Sequence, residues 1–171
     1  MKKLIVIACL WAICAVGASG QKYALIVMKY ILKNIPAYEM ANEQLNQVAK
    51  RWQKECEDLA AEAETLYKNY QSDLVFLTDE MKTQRADEVQ AKEQEVVELR
   101  KRYFGPEGEL YKKRESLMKP IQDEIYNAVK KIAEERNYMM IIDRASSGNI
   151  IFASPKADIS NEVLAKLGYS K

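Results

Sequence analysis

The chain has 171 residues, with 26 Lys and Arg against 25 Asp and Glu, three cysteines and no histidine. A formal charge of +1 gives no basic field for nucleic acid. Without histidine the commonest general base and the commonest zinc ligand are missing, and no Walker-type glycine loop occurs, so the sequence offers no catalytic constellation, no metal set and no cofactor or ATP site.

Residues 1–20 read as a secretory signal peptide. Lys2 and Lys3 precede the apolar run Leu4 to Val16, and the small residues Ala18 and Gly20 stand before a cut preceding Gln21. The thirteen-residue apolar run is shorter than a membrane span, which needs about 20. Neither Cys9 nor Cys14 follows a lipoprotein-type box. Both leave with the leader, so Cys56 stays alone, without an intrachain disulfide. The exported product, addressed to the periplasm in a bacterium, carries 24 basic and 25 acidic side chains.

Tyr23 to Leu32 (YALIVMKYIL) is a short apolar run that predicts a strand ending before Pro36. From Pro36 to Arg136 the pattern is helical. Ala37 to Phe104 holds no Gly and no Pro, and Leu45, Ala49, Trp52, Cys56, Leu59, Ala63, Leu66 and Tyr70 recur at alternating spacings of four and three. That is a coiled-coil seam, since an apolar residue every 3.5 positions keeps facing a partner helix. Cys56 is a small buried hydrophobe on this seam. A second seam runs through Val89, Val96, Tyr103, Leu110 and Leu117 at intervals of seven. Between the two lies the polar segment 78–88, which predicts the tip of an antiparallel hairpin with arms of nearly equal length. The stronger breakers at Gly105 to Gly108 are the competing tip; placing the turn there leaves much of the outbound seam without a partner, so this segment reads as a kink in the return helix.

Beyond Arg136, Tyr138 to Asp143 and Ile150 to Ala153 flank turn residues and predict a β-hairpin. Asp158 or Ser160 caps a last helix through Leu167, with Gly168 after its end. The expected fold is α+β, mainly α: a helical coiled-coil hairpin over 36–136, projecting from a small β-rich body made of 21–35 and 137–171. Such a body is too small to stand alone and leaves strand edges open, so it calls for an oligomer. Leu25, Val27, Ile142, Ile151 and Phe152 are the candidate contacts between copies.

Away from the seam, Tyr67, Leu74, Phe76 and Met81 approach the expected tip, while Phe104 and Tyr111 sit beside the kink. They are candidates for adaptable apolar contact with an unfolded chain. The basic clusters Arg100-Lys101-Arg102 and Lys112-Lys113-Arg114 are expected to pair with the outbound arm, where Pro36 to Glu80 holds four basic against ten acidic residues. An anionic partner is the other reading.

The segments YILKNIPAYEMANEQL (Tyr30 to Leu45), FGPEGELYKKRESLMKPIQDEIYNAVKKIA (Phe104 to Ala133) and YMMIIDRASSGNIIFASPKADISNEVLAKLG (Tyr138 to Gly168) resemble the Skp/OmpH family of periplasmic chaperones, in versions like those of Bacteroidetes. The resemblance implies a homotrimer with a β-rich trimerisation body and three helical arms around a cavity, holding unfolded outer-membrane proteins without ATP. Two departures stand out. The best-known members are strongly basic, whereas this chain is near neutral and its composition gives no support for membrane or lipid contact. Val27, Met28 and Lys29 also stand where an acidic residue is expected. The rival architecture is an envelope scaffold or spacer using the same arms to hold a fixed distance.

Overall fold

The computed structural model describes residues 22–146, 148 and 150–169; residues 1–20, expected to be a signal peptide, lie outside them. The elements are β1 (Lys22–Ile26), α1 (Met28–Lys33), α2 (Pro36–Asp73), α3 (Asp79–Phe104), α4 (Glu109–Arg136), β2 (Tyr138–Asp143), a 3-10 turn (Pro155–Ala157) and α5 (Ser160–Lys166). The chain is mainly helical, with a small sheet. It divides into two compact units, one running to Asn34 and resuming at Ile125, the other spanning Ile35–Glu124. The first unit therefore takes in the last 12 of the 28 residues of α4, where Ile125, Ala128 and Ile132 are buried.

In the first unit, the run expected as one strand is split. β1 ends at Ile26, and α1 follows after Val27. The N–H of Met28 donates to Asp143 Oδ1 at 3.1 Å and that of Val27 to Ser160 Oγ at 2.8 Å. These acceptors meet the unpaired N–H groups at the helix start. Ile31 is fully buried, and α1 packs on α5. A short apolar run does not announce whether it will be strand or helix, and tertiary partners decide.

The expected β-hairpin is also corrected. β2 pairs in parallel with β1, Tyr23 opposite Met140 and Leu25 opposite Ile142, with a register shift between Lys22 and Tyr23. Residues 150–154 form no strand in the chain. A parallel pair needs a long crossover, and here α1 to α4 supply it. Leu25 makes an isolated parallel bridge to Asp158, and its carbonyl accepts from Ile159 N at 2.9 Å, so the other side of β1 is partly covered. Ala24, Leu25, Ile26, Ile159, Val163 and Leu164 form the core. The N-cap of α5 is Ile159 and not Asp158 or Ser160 as expected; Asp158, one residue before it, accepts through Oδ1 from Ser160 N at 2.9 Å and from the Ser160 hydroxyl at 2.6 Å. α5 ends on Gly168 at φ 86°, with Gly168 N bonded to Ala165 O and Tyr169 N to Leu164 O. This left-handed closure favours glycine.

In the second unit, Pro36 opens α2 behind an extended Ile35, as proline at the first helical position does. All eight residues of the outbound seam are buried or half-buried, as are Val89, Val96 and Tyr103 on α3. Glu62 meets Lys92 and Glu55 meets Tyr103, which fixes α2 and α3 as antiparallel neighbours. The reversal falls at Leu74 to Thr78 and not over 78–88. Thr78 is an N-cap whose side chain accepts from Met81 N at 3.3 Å, and Asp79 and Glu80 favour the positive end of α3. The polar stretch is thus the start of a helix.

Gly105 to Gly108, expected as a kink in one return helix, separates two helices, α3 and α4. A Cβ on Gly105 would lie 2.4 Å from Lys101 O, and one on Gly108 would lie 2.8 to 2.9 Å from three backbone atoms, so the turn closes too tightly for side chains. Further along, Pro120 sits inside α4. It and Ser116 are exposed, which places the missing backbone bond on the solvent side.

Candidate functional site

No helix among the described residues is long and apolar enough to cross a membrane, and no group of three or more metal-ligating side chains gathers there. The surface of the α2–α3 hairpin is the candidate site, since its exposed apolar side chains have no covering partner within the unit.

At the turn, Val75 and Phe76 are 82% and 83% exposed, beside half-buried Leu74 and exposed Met81. The turn holds four consecutive apolar residues, Leu74 to Leu77, between Asp73 and Thr78, and the N–H of Phe76 donates to Asp73 O at 2.8 Å. Leu74, Phe76 and Met81 are thus brought together at one end. Tyr67 lies on the outer surface of α2 a little before the turn, its hydroxyl accepting from Gln71 Nε2 at 2.6 Å.

At the other end of α3, the Trp52 and Tyr103 rings stack at 4.7 Å and 8°, and Phe104 meets Tyr103 edge-on at 6.3 Å. The Tyr103 hydroxyl donates to Glu55 Oε2 at 2.7 Å, and this bond to the carboxylate, with some desolvation, holds its pKa above the ordinary phenol value. Phe104 and Tyr111 remain exposed on opposite sides of the Gly105–Gly108 break. Val97, seven residues before Phe104 on α3, is also exposed, one residue offset from the buried seam. Val97 follows the buried seam residue Val96, so the offset is readable in the sequence. Val75, the most exposed partner of Phe76, shares the turn with the candidates already named.

The basic clusters do not pair with α2 as expected. Among the described residues, none of Arg100, Lys101, Arg102, Lys112, Lys113 or Arg114 takes part in an ion pair, and all six are exposed. Lysine 92 makes the cross-helix pair instead, reaching Glu62 at 3.3 Å and Glu95 of its own helix at 3.1 Å; hydrogen bonds to Glu95 and then Glu62 raise its pKa. Around the break, Glu98, Glu107 and Glu109 share an open groove of about 590 Å³ with Lys101, Arg102 and Lys112. Such a mixed, open surface lacks the enclosure of a small-molecule site. Cys56 is buried on the seam, and burial pushes its thiol above the usual value against the pull of Arg100, leaving a poor nucleophile.

The candidates for contact between copies divide. Leu25 is already buried within the chain, and Val27 and Ile142 are half-buried. Ile151 and Phe152 are 102% and 84% exposed, close in sequence to exposed Met139 and Met140 on β2.

Comparison with known proteins agrees with this architecture. Residues 22–167 match the family model described as outer membrane protein (OmpH-like). No curated protein matches. Among solved structures, a candidate outer membrane chaperone (OmpH-like) from Caulobacter crescentus CB15 superposes with a TM-score of 0.69 at 13% identity, over 88% of this chain and 86% of that one. At that identity the likeness concerns the fold.

Proposed function

We propose, starting from the membership of this chain in the OmpH-like outer membrane protein family, that it is an ATP-independent periplasmic holdase for unfolded outer-membrane proteins. The observation that carries this reading is the hairpin turn, where Val75 and Phe76 stand in solvent. Exposed apolar side chains dispersed over a helical arm suit many weak contacts with an unfolded chain, and such contacts act together by multivalency without one specific site. Tyr67, Leu74, Met81, Phe104 and Tyr111 extend the same surface.

The working form is proposed to be a homotrimer. β2 has no partner on its outer side among the described residues, and Met139 and Met140 on it are exposed, as are Ile151 and Phe152 in the segment that follows. Open strand edges with apolar flanks favour joining to another copy. Mass in solution and an aggregation assay test the reading together. A trimer should suppress aggregation of an unrelated unfolded β-barrel without ATP. A trimer inactive at every ratio of chaperone to client points to the spacer reading instead, and a folded monomer at micromolar concentration refutes the assembly.

A further inference from the structure

The α2–α3 hairpin is bonded unevenly along its length. Among the described residues, two lateral polar contacts join the helices: the Tyr103 hydroxyl to Glu55, and Lys92 to Glu62. Beyond Cys56 toward the turn, the buried side chains are Ala63, Val89 and Val96, while Leu59, Leu66 and Tyr70 are only half-covered. Each helix is by contrast braced within itself, by Glu64 to Lys68, Asp79 to Lys82, Arg85 to Glu88 and Lys92 to Glu95. Small and half-covered contacts make lateral separation the least costly motion, since regions with few buried contacts open at free energies well below global unfolding.

The Trp52–Tyr103 stack bounds this weak stretch. Tyr103 is held by a ring on one side and a carboxylate on its hydroxyl, and two residues later the chain enters the tight Gly105 turn, where Gly105 N donates to Lys101 O at 2.9 Å. That end of α3 cannot swing without breaking several contacts at once.

We propose that the hairpin opens from its turn as far as the Trp52–Tyr103 stack, the two helices parting laterally and closing again, with the stack and the Tyr103–Glu55 bond acting as the latch that stops the opening. Opening bares Leu59, Leu66, Tyr70, Val89 and Val96, an apolar reserve hidden in the closed hairpin. This goes beyond the holdase reading and does not depend on it.

Amide hydrogen exchange of the native protein, resolved by peptide, tests it. Parted single helices fray in water, so residues 59–99 should exchange at least about tenfold faster than 38–52 and 109–132. A short bis-maleimide joining Glu62→Cys to Lys92→Cys, in a Cys56→Ala background, should slow 59–99 about tenfold. Tyr103→Ala should carry the fast exchange toward Leu45. Uniform exchange along the hairpin overturns the proposal. So does a cross-link without effect on 59–99, which means that the helices fray in place. Unchanged boundaries in a folded Tyr103→Ala variant remove the latch; if that variant fails to fold, Tyr103→Leu is read in its place, and the cross-link arm requires no change at Tyr103.

Discussion

Replacing Ile125 tests whether the end of α4 from Ile125 onward belongs to the core of the first unit. Ile125 is 0% exposed, with Ile121, Ala128 and Ile132 as the other buried members of its helical stripe. Ile125→Ala removes three carbons, each worth about 0.8 kcal/mol of lost transfer, or about 2.4 kcal/mol before any cavity remains. A partly collapsed cavity raises this to about 3 kcal/mol, whereas Ile125→Val, which removes one carbon, should cost about 1 kcal/mol. At about 1.4 kcal/mol per factor of ten, the alanine variant shifts the folding equilibrium roughly a hundredfold. Urea unfolding followed by far-UV circular dichroism gives the numbers. All variants must be compared at one protomer concentration, because the proposed assembly would link stability to concentration. An Ile125→Ala cost below about 1 kcal/mol with an unchanged urea slope would show that the site is not a packed core and would refute the assignment of 125–136 to this unit.

Val75→Ser with Phe76→Ser should leave stability within about 0.5 kcal/mol, as exposed positions do, while more protein is needed to protect an unfolded β-barrel; unchanged protection removes the turn from the client surface. Gly108→Ala should destabilise by about 2 kcal/mol through overpacking against the carbonyls of Arg102 and Tyr103, measured by the same urea titration, and a neutral result would mean that the turn relaxes freely. The Tyr103 phenol has a folded pKa above its ordinary value of about 10. Its bond to Glu55 is therefore fully stabilising below about pH 10 and is lost as pH rises through the folded value. Phenolate absorbance should show one late-titrating tyrosine that disappears in Tyr103→Phe. Cys56, protonated and buried, should react with a thiol reagent at least about tenfold more slowly than in urea; equal rates would contradict the buried seam position.

The hairpin was legible in the sequence because its determinants are local and repeated. Eight seam residues from Leu45 to Tyr70 each carry the same instruction, and their burial follows it residue by residue. The turn was misplaced because composition was weighed ahead of capping: segment 78–88 is polar, but Thr78, Asp79 and Glu80 are helix-starting residues, and the apolar Leu74 to Leu77 turn resembles a continuing core. The basic clusters were misread for a related reason. Counting charges on two arms gives an excess to be neutralised, yet pairing requires facing positions, and the position facing Glu62 is taken by Lys92. The exposed apolar residues were recognised by being off the seam, but only geometry tells half-buried Leu74 from Phe76 in open solvent.

The strands were the least legible part, because their instruction is not local. β1 and β2 are more than a hundred residues apart, and Leu25 opposite Ile142 is decided by two segments that carry no mark of each other. Tyr138 to Asp143 and Ile150 to Ala153, separated by turn residues, make a better hairpin by every short-range signal. The parallel pairing prevails because β1 offers an apolar strand, Ala24 to Ile26, whose side chains are buried and whose Leu25 backbone meets Asp158 and Ile159, while the 150–153 segment begins beyond a turn that β1 already ties down through the bond from Arg144 N to Ile26 O. Ile151 and Phe152 are then left outside with two large apolar side chains in water. A chain that closes its own sheet from its two ends, with α1 to α4 between them, has spent its local strand former elsewhere, and the segment left over is the one best placed to reach a second copy.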